Sequence, residues 1–121
     1  MENKIKKERG NYGENIAVGF LESRGHTILE KNYIAKNIGE IDIITMNDGY
    51  IIFVEVKYRT NINFGMPSES ITEDKIQKLQ NAAECYLLEK GNACALCRFD
   101  VIEIFGKETI EINHIENAFW D

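Results

Sequence analysis

An α/β domain, a mixed β-sheet flanked by helices, is what this sequence predicts, and three observations carry the prediction. Two stretches repeat apolar residues at three- and four-residue spacing, five others alternate or run apolar with β-branched residues, and an Asp-Gly pair joins two of these as a hairpin. Their order along the 121 residues is α-β-β-β-α-β-β, which suggests one domain over residues 1–121 with its sheet sandwiched between two helices.

The first helix is expected over residues 12–24. Ile16, Ala17, Phe20 and Leu21 form its apolar stripe, Asn11 precedes it and Gly25 stops it. A weak strand over 26–34, with Ile28 and Tyr33, leads to a strand over 39–46 in which Ile41 and Ile43 alternate with Glu40 and Asp42. Asn47-Asp48-Gly49 is a turn, and 50–57 is a strongly apolar strand. Residues 58–69, with Gly65 and the only proline, Pro67, read as a long loop, a length that in compact domains marks function or mobility. Ser70 with Glu73, or Thr72 alone, can cap a second helix whose stripe is Ile76, Leu79, Ala83, Tyr86 and Leu87 and which ends at Gly91. Strands over 98–105 and 109–114 complete the chain.

Composition narrows the class. Hydrophobic residues make up 44% and charged residues 28%, which suits a globular domain and argues against disorder. The apolar run of residues 16–21 is too short to be a signal core or a membrane span, and three cysteines fit free thiols in a reducing compartment, so the expectation is a cytoplasmic protein without a membrane partner. The net charge of −6 argues against a basic nucleic-acid footprint. Much of that charge lies in residues 103–121, where Lys107 faces Glu103, Glu108, Glu111, Glu116 and Asp121. The remainder is near neutral once Glu14, Asp42 and Glu55 are set aside, a balance that favours a partner bridged by a cation.

The hairpin holds the strongest chemical signal. With Asp48 and Gly49 at the centre of a two-residue turn, Asn47 pairs with Tyr50, Asp42 faces Glu55 and Glu40 faces Lys57. Opposed residues on one face have Cβ atoms ~5 Å apart. Two carboxylates at that distance repel by ~3 kcal/mol at an effective dielectric of about 20. A divalent cation with oxygen ligands, Mg²⁺ or Mn²⁺, removes the conflict, while Lys57, on the face of Glu55, can hold a water or stabilise charge on a phosphate. A three-residue loop would shift the register and place the two acids on opposite faces. Read alone, a Glu-x-Lys in a strand is a solvated face; the like-charged opposition within so apolar a hairpin is what speaks against that here.

Gly39-Glu40-Ile41-Asp42 followed by Phe53-Val54-Glu55-Val56-Lys57 resembles the PD-(D/E)XK nuclease superfamily, and more narrowly the bacterial YraN family, which is similar to archaeal Holliday-junction resolvases. Gly13-Glu14 with Ala17, Arg59, Phe64-Gly65, Pro67, Lys75, Arg98-Phe99-Asp100-Val101 and Asn117-Ala118-Phe119 extend the resemblance over nearly the whole chain. It implies a restriction-endonuclease-like αβββαβ core with Asp42, Glu55 and Lys57 at the catalytic positions and Glu14 as a further acidic ligand. Spacing alone leaves Glu14 open between a helix cap after Asn11 and a metal shell. Glu40 suits a supporting role beside Lys57. Lys75 and Arg59 suit substrate contacts, although Lys78, Asn61 and Asn63 show how ordinary surface polarity gives the same pattern.

The expected function is that of a Mg²⁺- or Mn²⁺-dependent endonuclease acting on nucleic acid, DNA and branched DNA in particular, with a homodimer as the form that resolves a junction. The alternative is a non-catalytic nucleic-acid-binding or assembly module on the same fold. A zinc or redox role for Cys94 and Cys97 lacks a second ligand pair, and His26, His114 and Trp120 read as packing residues.

Overall fold

The computed structural model describes the backbone of residues 2–59, 71–92 and 94–119, with side chains from Asn11 onward. The order is α1 (Glu2–Ser23), β1 (Thr27–Ala35), β2 (Gly39–Asn47), β3 (Tyr50–Arg59), α2 (Glu73–Glu89), β4 (Cys97–Phe105) and β5 (Glu111–Ile115). These strands form one five-stranded sheet in the order β1-β2-β3-β4-β5. All neighbours are antiparallel except β3 and β4, which are parallel and joined through α2. This is the predicted α/β class, a mixed sheet between two helices, and it is consistent with a restriction-endonuclease-like αβββαβ core.

The β2–β3 hairpin forms as its turn residues dictate. Asp48 and Gly49 have φ of 52° and 83°, the left-handed pair that a two-residue turn requires. The ladder runs from Asn47↔Tyr50 to Ile43↔Val54 in the expected register. β3 lies at the centre of the sheet and is apolar on both faces. Ile51 and Phe53 pack with Leu79, Ala82, Ala83 and Tyr86 of α2, while Ile52 and Val54 pack with Ala17 and Leu21 of α1. Burying each such Ile, Leu or Phe side chain contributes about 1.5–3 kcal/mol, so the two helices hold β3 from both sides.

Several bounds differ from expectation. Helix α1 begins at Glu2, ten residues before the expected start at 12, because Glu, Lys and Arg have high helix propensity whether or not they lie on an apolar stripe. β3 continues two residues to Arg59, and β5 starts at Glu111. Thr72 is the residue that caps α2, its hydroxyl accepting from Lys75 N–H at 3.1 Å. Ser70, the loop landmarks Asn61, Asn63, Phe64, Gly65 and Pro67, and Trp120 lie outside the described residues.

One irregularity bears on the site. Ile41 and Ile43 are two residues apart on β2, so a regular strand would send both to one face. Ile41 instead packs in the α2 cluster and Ile43 in the α1 cluster. On the neighbouring edge strand Asn32 has a φ of 52°, and the β1–β2 register shifts between Ile28 and Glu30. The strand therefore changes facing at Asp42.

Candidate functional site

Because β2 turns at Asp42, its carboxylate is free to reach across to β3. Asp42 Oδ2 accepts the N–H of Val56 at 2.9 Å, a side-chain bond that follows directly on the last ladder pair. Beside Val56, Glu55 is 7% exposed. Burial, then the charge of Asp42, push its carboxyl up to about 8. The two carboxyls interact although the ladder ends one pair earlier, at Ile43↔Val54, and the cost of that contact appears at Glu55 as its raised carboxyl.

Two ammonium groups flank Glu55. Lys57 Nζ lies 4.0 Å from Oε1, and Lys75 Nζ, brought in by the first turn of α2, lies 4.0 Å from Oε2. These are long contacts that offset only part of the burial penalty. The expected pairing of Glu40 with Lys57 is corrected by this geometry, since the ion pair of Lys57 is with Glu55 on its own strand. The cause is the break at Asp42, beyond which Glu40 is exposed and its charge acts on Glu14 instead.

Glu14 approaches from α1. Gly13 makes the approach possible, because a Cβ there would fall 2.8 Å from Tyr58 Cβ. Burial first and then the Asp42 and Glu40 charges raise the Glu14 carboxyl, while Asn32 opposes them. The helix-cap reading of Glu14 does not hold, since α1 begins a dozen residues earlier. Arg59 sits half-buried at the end of β3, where its carbonyl accepts Gly106 N–H at 3.0 Å. Lys78 pairs with Asp74 at 3.1 Å on the exposed side of α2, an ordinary surface pair.

The side chains suit a hard divalent cation in kind. Asp42 and Glu55 are adjacent carboxylates, one carrying a burial conflict that a cation would relieve, with Glu14 next to Asp42. Among the described residues, however, no three acidic, histidine or cysteine side chains are already gathered around one ion position. Seating an ion would require Glu55 to exchange its lysine contacts for the metal, with Glu14 reaching it directly or through water. Cys85, Cys94 and Cys97 are free thiols, and Cys94 is exposed.

Sequence reasoning missed two buried acids on β4. Glu103 was counted with the acidic end of the chain, yet it is fully buried, accepts from Asn113 Nδ2 at 2.7 Å and is the register partner of Lys57. Asp100, also fully buried, accepts from Arg98 Nε at 3.0 Å and Asn117 N–H at 3.0 Å, and its Oδ2 lies 2.7 Å from His114 Nε2. His114 is accordingly a buried partner of an acid as well as a packing residue. His26, whose Nδ1 lies 2.8 Å from the Thr45 hydroxyl, packs edge-on against the His114 ring. A cavity of about 380 Å³ opens beside Arg98, lined by Tyr50, Cys97, Glu116 and Asn117. Charged residues inside an apolar strand, the signal that singled out Glu55, would have pointed to both.

Comparison with known proteins shows the family. The family model described as "Uncharacterised protein family UPF0102" matches residues 13–104, a span that holds Glu14, Asp42, Glu55 and Lys57. The chain belongs to the UPF0102 family. A UPF0102 protein of Clostridioides difficile (strain 630) is 50% identical over 113 residues, covering 93% of this chain and 97% of the relative. A UPF0102 protein of Caldanaerobacter subterraneus subsp. tengcongensis is 46% identical over 118 residues, with 94% and 96% covered, and one of Clostridium novyi (strain NT) is 47% identical over 122 residues, with 95% and 98% covered. UPF0102 is the YraN family that the sequence resembles. No helix among the described residues is long and apolar enough to cross a membrane.

Proposed function

We propose that this UPF0102 protein is a Mg²⁺- or Mn²⁺-dependent endonuclease that hydrolyses phosphodiester bonds in nucleic acid, DNA and branched DNA in particular. The observation that carries the reading is the contact of two carboxyls, Asp42 and Glu55, on a hairpin where burial and the Asp42 charge push Glu55 up to about 8. Asp42 and Glu55 would hold the metal, with Glu14 completing the shell. A cation held there would supply a water of lowered pKa and a counter-charge for phosphate. Lys57 orients the attacking water and offsets the charge that develops on the phosphate oxygens. Lys75, which now pairs with Glu55, would on its release meet the substrate backbone, as would Arg59 at the end of β3. Glu40, whose charge helps to raise the Glu14 carboxyl, would have a supporting acidic role outside the metal shell. Cutting two strands of a junction takes two such sites, which makes a homodimer the working form.

The test is incubation of the protein with branched, duplex and single-stranded DNA in Mg²⁺ or Mn²⁺, alongside Glu55→Ala and Lys57→Ala. Wild-type cleavage that stops with EDTA and falls at least a hundredfold in both variants is expected. Cleavage that survives both substitutions sinks the reading. A second reading, a non-catalytic nucleic-acid-binding module, draws on Lys57 and Lys75 standing where a cation would have to displace them. It predicts nucleic-acid binding indifferent to EDTA and to Asp42→Asn.

A further inference from the structure

Glu103 is a buried acid on the face of the sheet that carries Glu55 and Lys57, and the proposed chemistry gives it no part. On β3, Ile51 and Phe53 pack in the α2 cluster, and Glu55 and Lys57 follow them at two-residue steps, with Lys75 of α2 reaching Glu55. The parallel ladder to β4 is unbroken from Ile51↔Cys97 to Arg59↔Phe105. Phe99 belongs to the same cluster, so Val101 and Glu103 also face α2, and Glu103 stands beside Lys57 on the next strand. Strands paired in this way lie about 4.7–4.9 Å apart. Glu103 is wholly buried, and Asn113, its register partner on β5, donates Nδ2 to its Oε1 at 2.7 Å. One row across three strands therefore runs Lys57, Glu103, Asn113, with the acid anchored from the side away from the lysine.

We propose that Glu103 is a positioning residue for Lys57, its carboxylate, steered by Asn113, keeping the Lys57 ammonium at the site when Glu55 is engaged by a cation. This deepens the hydrolytic reading and rests on it for the reaction that Lys57 serves. Lys57 has Glu55 on its own strand, 4.0 Å away, but that is the carboxyl a cation would take. Glu103 lies on a strand that contributes nothing to the metal set, so its hold on Lys57 outlasts metal binding. Asn113 is neutral and fixes the carboxylate without balancing its charge. The ammonium, on a flexible four-carbon stem, stays in one place only if a fixed counter-charge keeps it there.

The experiment is a double-mutant cycle on urea unfolding at neutral pH with Glu103→Gln, which keeps the shape and an acceptor for Asn113, and Lys57→Met. It is run in the wild-type background and again in Glu55→Gln. The expected coupling is about tenfold in the unfolding constant, and it persists when Glu55 is replaced. A role for Glu103 confined to tying β4 to β5 through Asn113 leaves no coupling to Lys57. In Mg²⁺ or Mn²⁺, Glu103→Gln is expected to lower kcat on branched DNA by about 10- to 100-fold with KM moved less than about twofold, since substrate still binds while Lys57 is no longer held. Asn113→Ala, at an exposed position, keeps the acid but removes its tether and is expected to lower kcat by a smaller factor. Additive effects of Glu103→Gln and Lys57→Met in either background, or wild-type kcat in both Glu103→Gln and Asn113→Ala, overturn the proposal. Full coupling in a protein that cleaves nothing supports the hold of Glu103 on Lys57 and removes the hydrolytic reading alone.

Discussion

Glu55 on β3 and Asp100 on β4 are both buried carboxylates on adjacent strands, directed to opposite faces of the sheet, and the protein treats their charge in opposite ways. Burial acts to raise both. At Asp100, hydrogen bonds from His114, Arg98 and the Asn117 amide outweigh it and hold the carboxyl below the usual range. At Glu55 the nearest strong partner is another acid, the lysines stand 4.0 Å away, and the carboxyl rises to about 8. The contrast separates an acid whose charge the fold satisfies from one whose charge it does not. A saturated buried acid ties segments together, here the end of β5 and Asn117 to β4, whereas an unsaturated one leaves a burial cost unmet.

The difference can be broken from either side. Asp100→Asn removes the charge on which Arg98 and His114 converge and should cost about 3–5 kcal/mol in urea unfolding, the loss typical of a buried ion pair stripped of one partner. Since its folded carboxyl titrates below the ordinary value of 3.8, the contribution of Asp100 is complete above that pH and is lost as the pH falls through the lower folded value. Glu55 has the reverse sign. Its carboxyl titrates near 4.5 when unfolded and about 8 when folded, so the folded state binds the extra proton and stability declines as the pH rises from 4.5 to 8. Glu55→Gln should therefore be more stable than wild type at pH 8, by roughly 1–3 kcal/mol, and its stability should be flatter over that window. A Glu55→Gln protein that loses stability at pH 8 would contradict the assignment of the strain to this group.

Smaller effects sharpen the same contrast. If a cation replaces the Glu55 proton, apparent Mn²⁺ affinity, followed by calorimetry, should rise by about tenfold per pH unit below about 8 and level off above it. Thr72→Ala removes the cap that sets the first turn of α2, where Lys75 stands. It should cost about 1 kcal/mol in thermal unfolding and, by loosening Lys75, move the Glu55 titration further upward, whereas Asp100 should not respond.

Much of the candidate site was legible because a turn counts residues. Asp48-Gly49 dictates a two-residue loop, the loop dictates register, and the register runs to Ile43↔Val54, which leaves Asp42 and Glu55 as the next residues on their strands with no knowledge of the rest of the molecule. What depends on packing between distant elements was hidden. Lys75 reaches Glu55 only because α2 docks on one face of β3, and Glu14 meets Asp42 only because Gly13 lets α1 settle on Tyr58. The Glu40–Lys57 pairing failed because the facing change at Asp42 is absent from the alternation of polar and apolar residues. The Asp100 network joins β4 to β5 and to the turn at Asn117, three segments whose proximity no local pattern encodes. The early start of α1 was missed for a different reason, since an apolar stripe marks where a helix is buried and not where it begins.

The parallel pairing of β3 with β4 has a consequence for the newly synthesised chain. When synthesis has reached Arg59, β3 already has β2 along one edge, but its other edge, an apolar run from Ile51 to Val54, stays open until Cys97–Phe105 has left the ribosome. Unpaired, apolar strand edges recruit other chains, and non-local parallel pairing is slow to form. The central strand of the finished sheet is thus the most exposed liability of the unfinished one, and the span from Arg59 to Phe105 is the interval over which a chaperone would have the most to protect.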